Sequence, residues 1–326
     1  MKQKIRAVML LLASLPFLAG TGCSTYSQEE KESFGRTQVH TLKFGEINRS
    51  YYLHVPAKMD ISRSIPLLLA FHGGGGTPAY IERESKFSLI SDREGFLVAY
   101  PEGIRKSWND GRKINAIPAQ KENVDDINFI VAMIDEISKS YKVDEKRIFA
   151  TGISNGGMFS YSMGIRLPEK FAAIAPVAGG IPEPLKDSFN PEHPVSAIII
   201  NGTDDPLVPY TGGEISIFRS KRGRILGAEE STRKFAENDR CTPTPVIVDI
   251  ADKDPNDGCK VKKYSYGKGK DGTEVVLYRI EGGGHTWPDG RQYLPEMLIG
   301  KLCHDINASE IIWEFFKNHP KKTEGP

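Results

Sequence analysis

The sequence predicts an α/β fold: a mostly parallel central sheet with helices on both faces. Short, wholly apolar runs recur along the chain, and stretches of helical spacing alternate with them. Pro66-Leu67-Leu68-Leu69-Ala70-Phe71 and Ser196-Ala197-Ile198-Ile199-Ile200 are the plainest runs. A strand covered on both faces has no polar side to display, so it reads as continuous hydrophobicity rather than alternation.

The elements follow in order. Residues 39–44 and 51–55, either side of Gly45-Glu46-Ile47-Asn48, form an opening hairpin. Residues 66–71 and 96–100 are buried strands, with a helix over 81–92 between them. Asn123 caps the next helix, with Asp125 and Asp126 in its first turn, where negative charge favours the dipole. Ile127, Ile130, Val131, Ile134 and Ile137 then give that helix an apolar face. Strands follow at 147–151, 171–177, 196–200 and 275–280, and a last helix over 309–316 begins near Asn307. There is no internal repeat.

The chain has 326 residues, enough for one large domain with a sizeable core. With 39% hydrophobic and 26% charged residues and a net charge of +1, it carries no basic excess to suggest a nucleic-acid partner. The basic run 219–224 (RSKRGR) reads as a solvated loop.

The N-terminus differs in character. Lys2, Lys4 and Arg6 precede an apolar stretch over 7–19 that is short for a membrane span, as in a secretory leader. Ala19-Gly20-Thr21-Gly22-Cys23 resembles a bacterial lipobox with glycine where leucine is usual, which implies lipidation at Cys23; simple secretion is the alternative. The expected organisation is a leader at 1–22, a polar tether at 23–36, one catalytic domain at 37–320 and a polar tail at 321–326. Contact with a membrane is expected only through that lipid. Export permits disulfides, and Cys241 and Cys259 bracket a polar insertion, so they are the expected bridge. A pairing through Cys303 stays open. No spacing suits a structural zinc site.

Chemistry concentrates in four glycine-rich segments. Gly152-Ile153-Ser154-Asn155-Gly156 lies between a strand and a helical stretch, the setting of a nucleophile elbow that projects Ser154 from the sheet. His72-Gly73-Gly74-Gly75-Gly76 follows directly on a strand, where backbone N–H groups can face a developing oxyanion. Gly74 or Gly75 supplies one donor and the amide of Asn155 the other, while His72 is structural. Asp205, three residues before Val208-Pro209, is the expected acid, with Asp204 a turn residue. His285, within Gly282-Gly283-Gly284-His285, is the expected base. The order Ser, Asp, His along the chain is that of α/β-hydrolases. His40, His54, His193, His304 and His319 lack such a setting and read as surface or packing residues.

Taken together, the HGGGG run, Trp108-Asn109-Asp110-Gly111, Val124-Asp125-Asp126, GISNGGM, NGTDDPLVPYTGG and EGGGHTWP resemble the polyhydroxybutyrate-depolymerase-like esterases. That group includes feruloyl and acetylxylan esterases of carbohydrate esterase family one. The resemblance spans residues 39–319 and implies an α/β-hydrolase fold with nucleophile Ser154, acid Asp205, base His285 and an oxyanion loop at 73–76. It further implies hydrolysis of carboxylic esters through an acyl-serine, without cofactor or metal. The expected substrates are feruloyl or acetyl esters of plant polysaccharide, or hydroxyalkanoate oligomers. Depolymerases of solid polyester carry a linker, a polymer-binding domain and a cysteine in the oxyanion loop. This sequence reads as lacking all three, which shifts the expectation toward soluble or cell-wall esters. Trp108 and Trp287 are candidate substrate-binding aromatics, the alternative being that they pack the floor of the active-site loops, toward which Trp108 leans. Two other readings remain: a serine peptidase of the same fold, and a non-catalytic envelope lipoprotein.

Overall fold

The computed structural model describes residues 35–322 apart from 61, 218 and 219. The expected leader, the lipidation site Cys23, nearly all of the tether and the tail residues 323–326 lie outside the described residues. Among the described residues, no helix is long and apolar enough to cross a membrane.

A hairpin of β1 (Arg36–Phe44) and β2 (Ile47–Val55) opens the chain, followed by β3 (Ile65–Phe71). Helices α1 (Pro78–Ser85) and α2 (Phe87–Glu94) lead to β4 (Leu97–Pro101), and α3 (Asp126–Ser140) leads to β5 (Val143–Ile153). Then come α4 (Asn155–Arg166), β6 (Ala173–Val177), β7 (Ser196–Gly202), and a separate hairpin of β8 (Gly212–Ile217) and β9 (Ser220–Leu226). Helix α5 (Ala228–Asn238), β10 (Val246–Asp249), β11 (Lys260–Tyr266), β12 (Val275–Glu281) and α6 (Ala308–Asn318) complete the order.

Ten strands form one sheet in the order β1-β2-β4-β3-β5-β6-β7-β12-β11-β10. The six from β4 to β12 run parallel, and an antiparallel pair extends each edge. Because β3 is followed in the chain by its neighbour on one side, and β5 by its neighbour on the other, the strand order reverses between β3 and β5. Loops leaving the carboxyl ends of those two strands therefore diverge and leave a crevice.

Alternation along the strands divides the core in two. Leu67, Leu69 and Phe71 of β3 pack with α3, α4 and α5 on one face. Leu68 and Ala70 pack with α1, α2 and α6 on the other. Helices thus cover both faces, as the apolar runs predicted.

Several local expectations change. The helix expected over 81–92 is two helices, broken at Lys86, which takes φ 55°. Asp125, not Asn123, caps α3 by accepting from the Asn128 N–H, and Asn123 has φ 46°. The described part of the basic run is no loop: residues 220–226 are β9, where Arg222 donates to the Ala116 carbonyl and Arg224 pairs with Glu183.

The expected Cys241–Cys259 bridge is also absent, all three described cysteines being thiols. Cys241 packs with the α3–α5 face and Cys259 with the α1–α2–α6 face, beside Cys303. The sheet stands between the two sulfurs, and a disulfide needs Cα atoms within about 7 Å.

Candidate active site

Three strand ends carry the candidate residues. β5 ends at Ile153, and Ser154 turns the chain into α4 with φ 58° and ψ −121°. A side chain in such a conformation costs about 1–3 kcal/mol and persists only where its surroundings impose it. Here the Ser154 N–H donates to Val177 O of β6 (2.9 Å), and its carbonyl accepts from the Met158 N–H (2.8 Å). The elbow is also pressed against the end of β3. A β-carbon at Gly152 would lie 2.6 Å from Phe71 O, and one at Gly156 2.3 Å from the same atom. Only glycine fits at either place.

The loop after β3 lies against this elbow. A β-carbon on Gly73 would meet the Ser154 Cβ at 3.5 Å, and one on Gly74 the Asn155 Cβ at 3.8 Å. Two of the loop amides are already engaged: Gly75 N–H donates to Lys106 O (2.8 Å) and Gly76 N–H to Gly73 O (2.9 Å). Gly75 is therefore corrected as a candidate oxyanion donor, since its hydrogen is spent inside the fold. Gly74 N–H has no acceptor among the described residues. Asn155 opens α4, so its N–H belongs to the first turn, which has no intrahelical acceptors.

His72 holds this loop in place. It is fully buried, its Nδ1–H donates to Gly73 O (2.8 Å), and its Nε2 accepts from the Gly103 N–H (3.0 Å). Accepting at Nε2 requires a neutral ring, and burial pushes its pKa down to about 4. His72 is structural, as its setting implied.

At the end of β12, the loop bearing His285 lies against the end of β7. Asp204 N–H donates to Gly283 O (3.0 Å), and Thr203 N–H to Ile280 O (2.9 Å). Asp205 Oδ2 accepts from His285 Nδ1 at 2.6 Å, and its Oδ1 accepts from the N–H groups of Leu207 and Val208, both at 2.8 Å. With three donors the carboxylate is held as an acceptor, which places the imidazole proton on Nδ1 and leaves Nε2 basic. Asp204 is exposed and accepts only from the Thr203 hydroxyl (2.8 Å), so the choice between the adjacent aspartates falls on Asp205. Among the described residues, Ser154 Oγ makes no hydrogen bond to His285. Such contacts commonly tighten only when substrate is bound.

The tryptophans do not line the cleft. Trp108 and Trp287 are 0% and 1% exposed. Trp108 stacks on Phe159 with centroids 5.0 Å apart and donates to His72 O (2.9 Å). Trp287 donates to the Ser309 hydroxyl (3.0 Å) and meets Phe87 edge-on. Both are corrected from substrate contact to the floor beneath the catalytic loops, where a large ring supplies packing area.

Two groups of residues escaped the sequence reading. Half-buried Tyr80, from the helix after the glycine loop, meets half-buried Tyr293 edge-on at 6.0 Å, and Tyr293 donates to His285 O (3.2 Å). Buried Asp110 accepts from Arg112 (Nη2, 2.7 Å), Gln120 (2.8 Å) and Asn155 Nδ2 (2.6 Å). The adjacent Asn109 N–H donates to Asp126 (2.8 Å), whose other oxygen pairs with buried Arg49 (2.7 Å). Asp126 is therefore more than a helix-start charge. The Trp108-Asn109-Asp110-Gly111 string was the available signal, but its partners lie far along the chain.

Residues 49–183 match the esterase PHB depolymerase family. A protein of Nocardia uniformis subsp. tsuyamanensis named as an esterase, NocK, is 26% identical over 82% of this chain and 78% of its own. Feruloyl esterase B of Piromyces equi is 28% identical over 74% of this chain, which spans 44% of that protein's length. The fold is similar to an acetyl xylan esterase from Aspergillus awamori, with TM-score 0.56, 16% identity, and coverage of 86% of this chain and 99% of that one. By motif and by the match over residues 49–183, the chain is similar to the esterase PHB depolymerase family, and its fold is similar to that of a solved esterase.

Proposed function

We propose that the protein is a serine carboxylic-ester hydrolase, acting on feruloyl or acetyl esters of plant polysaccharide or on hydroxyalkanoate oligomers. The observation that carries this reading is the 2.6 Å Asp205–His285 hydrogen bond, on the same sheet edge as the Ser154 elbow. His285 Nε2 takes the Ser154 proton as Oγ attacks the ester carbonyl. The N–H groups of Gly74 and Asn155 receive the oxyanion of the tetrahedral intermediate, a contribution of about 10²–10³ in rate per donor. Collapse expels the alcohol, which takes the proton from Nε2. Water then attacks the acyl-serine by the same path reversed. Asp205 orients the ring and stabilises the imidazolium while the charge exists.

A fluorophosphonate that modifies Ser154, together with loss of p-nitrophenyl acetate turnover in Ser154→Ala, tests the mechanism; retained turnover overturns it. Comparing methyl ferulate, acetylated xylan and hydroxybutyrate oligomers on one preparation identifies the substrate class. We also propose export with a lipid on Cys23, on the strength of the leader-like residues 1–22. Labelled palmitate that enters the wild type but not Cys23→Ser tests that.

A further inference from the structure

Beyond the cleft, two buried thiols meet beside the loop that carries His285. We propose that Cys259 and Cys303 form a disulfide site, oxidised by exchange with a small disulfide such as oxidised glutathione. The bond straps the start of β11 to the segment lying along the histidine loop.

The geometry is prepared for it. The two sulfurs and a carboxylate oxygen of Asp257 all lie within 4.8 Å of one another, and both cysteines are buried. Asp257 fixes the backbone beside each thiol: one oxygen accepts from the Cys259 N–H and the other from the His304 N–H, both at 2.7 Å. Asp305 adds a second tie by accepting from the N–H groups of Lys253 (2.7 Å) and Asp254 (3.3 Å). Residues 253–259 are thus laced to 303–305 without any covalent bond. Side-chain rotation brings neighbouring sulfurs toward the ~2.05 Å S–S distance. Cys241, across the sheet, is excluded from the exchange.

The position gives the bond a purpose. The segment before Cys303 lies along the histidine loop: Gly284 N–H donates to Lys301 O (2.9 Å), His285 N–H to Ile299 O (2.5 Å), and Asp289 N–H to Cys303 O (2.9 Å). On the other side Lys260, the residue after Cys259, pairs with Glu281 just before the loop. A bond between the two cysteines therefore closes a covalent ring around the root of that loop, and it also restricts the unfolded chain.

The exchange proceeds while the chain folds or the loop opens, since both sulfurs are buried in the closed state. One cysteine thiolate attacks oxidised glutathione, forming a mixed disulfide and releasing one glutathione thiolate. The second cysteine thiolate displaces the other glutathione. Two protein thiols have then lost two protons and two electrons, and the oxidant has become two thiols.

The assignment does not depend on ester hydrolysis, and neither does its test. The full chain is equilibrated in a glutathione redox buffer, alkylated with iodoacetamide in guanidinium without reductant, digested and mapped by mass spectrometry. The expected result is one peptide pair linked through Cys259 and Cys303, with only Cys241 alkylated. Dithiothreitol should lower Tm by roughly 5–10 °C in the wild type and in Cys241→Ser, but not in Cys303→Ser. Free alkylation of both thiols overturns the proposal, as does a linkage through Cys241. One zinc ion released per chain on unfolding, with both thiols free, overturns it too. Mapping the wild type decides even where Cys303→Ser fails to fold.

Discussion

Asn155, the residue after the Ser154 elbow, donates through Nδ2 to the buried carboxylate of Asp110 at 2.6 Å. The same side chain accepts from the Trp108 N–H at 2.8 Å, so the loop over 108–112 grips it from two directions. The residue that carries a proposed oxyanion donor on its backbone thus has its side chain anchored by a carboxylate 45 residues away in sequence. Asp110 also neutralises buried Arg112, so removing the carboxylate strands a charge in the core.

Asp110→Ala should therefore lose about 3–5 kcal/mol of stability, read from urea unfolding. Asp110→Asn keeps the volume and some hydrogen bonds, so a folded sample is expected. In that variant kcat should fall at least tenfold with KM nearly unchanged, because a displaced donor weakens only the transition state. An unchanged kcat would separate Asp110 from the chemistry.

The two adjacent aspartates should behave very differently. Asp205→Asn can present an N–H to His285 where the carboxylate presented a lone pair, which favours the wrong tautomer. A loss of about 10⁴ in kcat is expected on p-nitrophenyl acetate. Asp204→Asn touches only the Thr203 hydroxyl through its side chain, so its rate should stay within twofold of wild type. Equal losses in the two variants would contradict the assignment.

His72 makes stability depend on acid. In the unfolded chain its ring takes a proton near pH 6.5, whereas burial in the fold holds this off until about 4. Between those values the unfolded state binds the extra proton. The folded state keeps its full margin above pH 6.5 and loses stability as pH falls toward 4, by about 3 kcal/mol from this residue. Urea unfolding at intervals from pH 7 to 4 should show the decline, and His72→Asn should flatten it. A slope that persists in the variant would locate the effect elsewhere.

Legibility followed the range of the signal. Strands buried on both faces, such as β3 and β7, were readable because each residue of the run reports the same environment. Ser154, Asp205 and His285 were readable as candidates because each sits in a local glycine-rich string at a strand end. β10 left no trace: Val246, Ile247 and Val248 are exposed, so no burial pattern marks it. Pairings between distant segments were equally silent. Cys259 lies beside Cys303 rather than Cys241 because of which sheet face each occupies, and that depends on the topology of the whole chain. The choice between substrate contact and packing stayed open for Trp287 for a related reason, since proximity in sequence to His285 does not say whether a ring turns outward or down.

Tyr80 and Tyr293 are better placed than either tryptophan to meet a substrate. One follows the glycine loop, the other follows the histidine, and their rings meet at 6.0 Å across the two segments. Both retain partial exposure, while Trp287 has almost none. Tyr80→Ala should therefore raise KM for an aryl ester such as methyl ferulate several-fold, with a smaller effect on p-nitrophenyl acetate. The lost contact is apolar area beyond the reacting carbonyl, worth about 1–3 kcal/mol at most. Trp287→Phe should do the reverse, lowering stability by about 1–3 kcal/mol through the lost ring and the Ser309 hydrogen bond while KM stays within twofold. Measuring KM and the urea midpoint for both variants separates the roles. A KM change confined to Trp287→Phe would return the tryptophan to the substrate and remove the tyrosine pair from it.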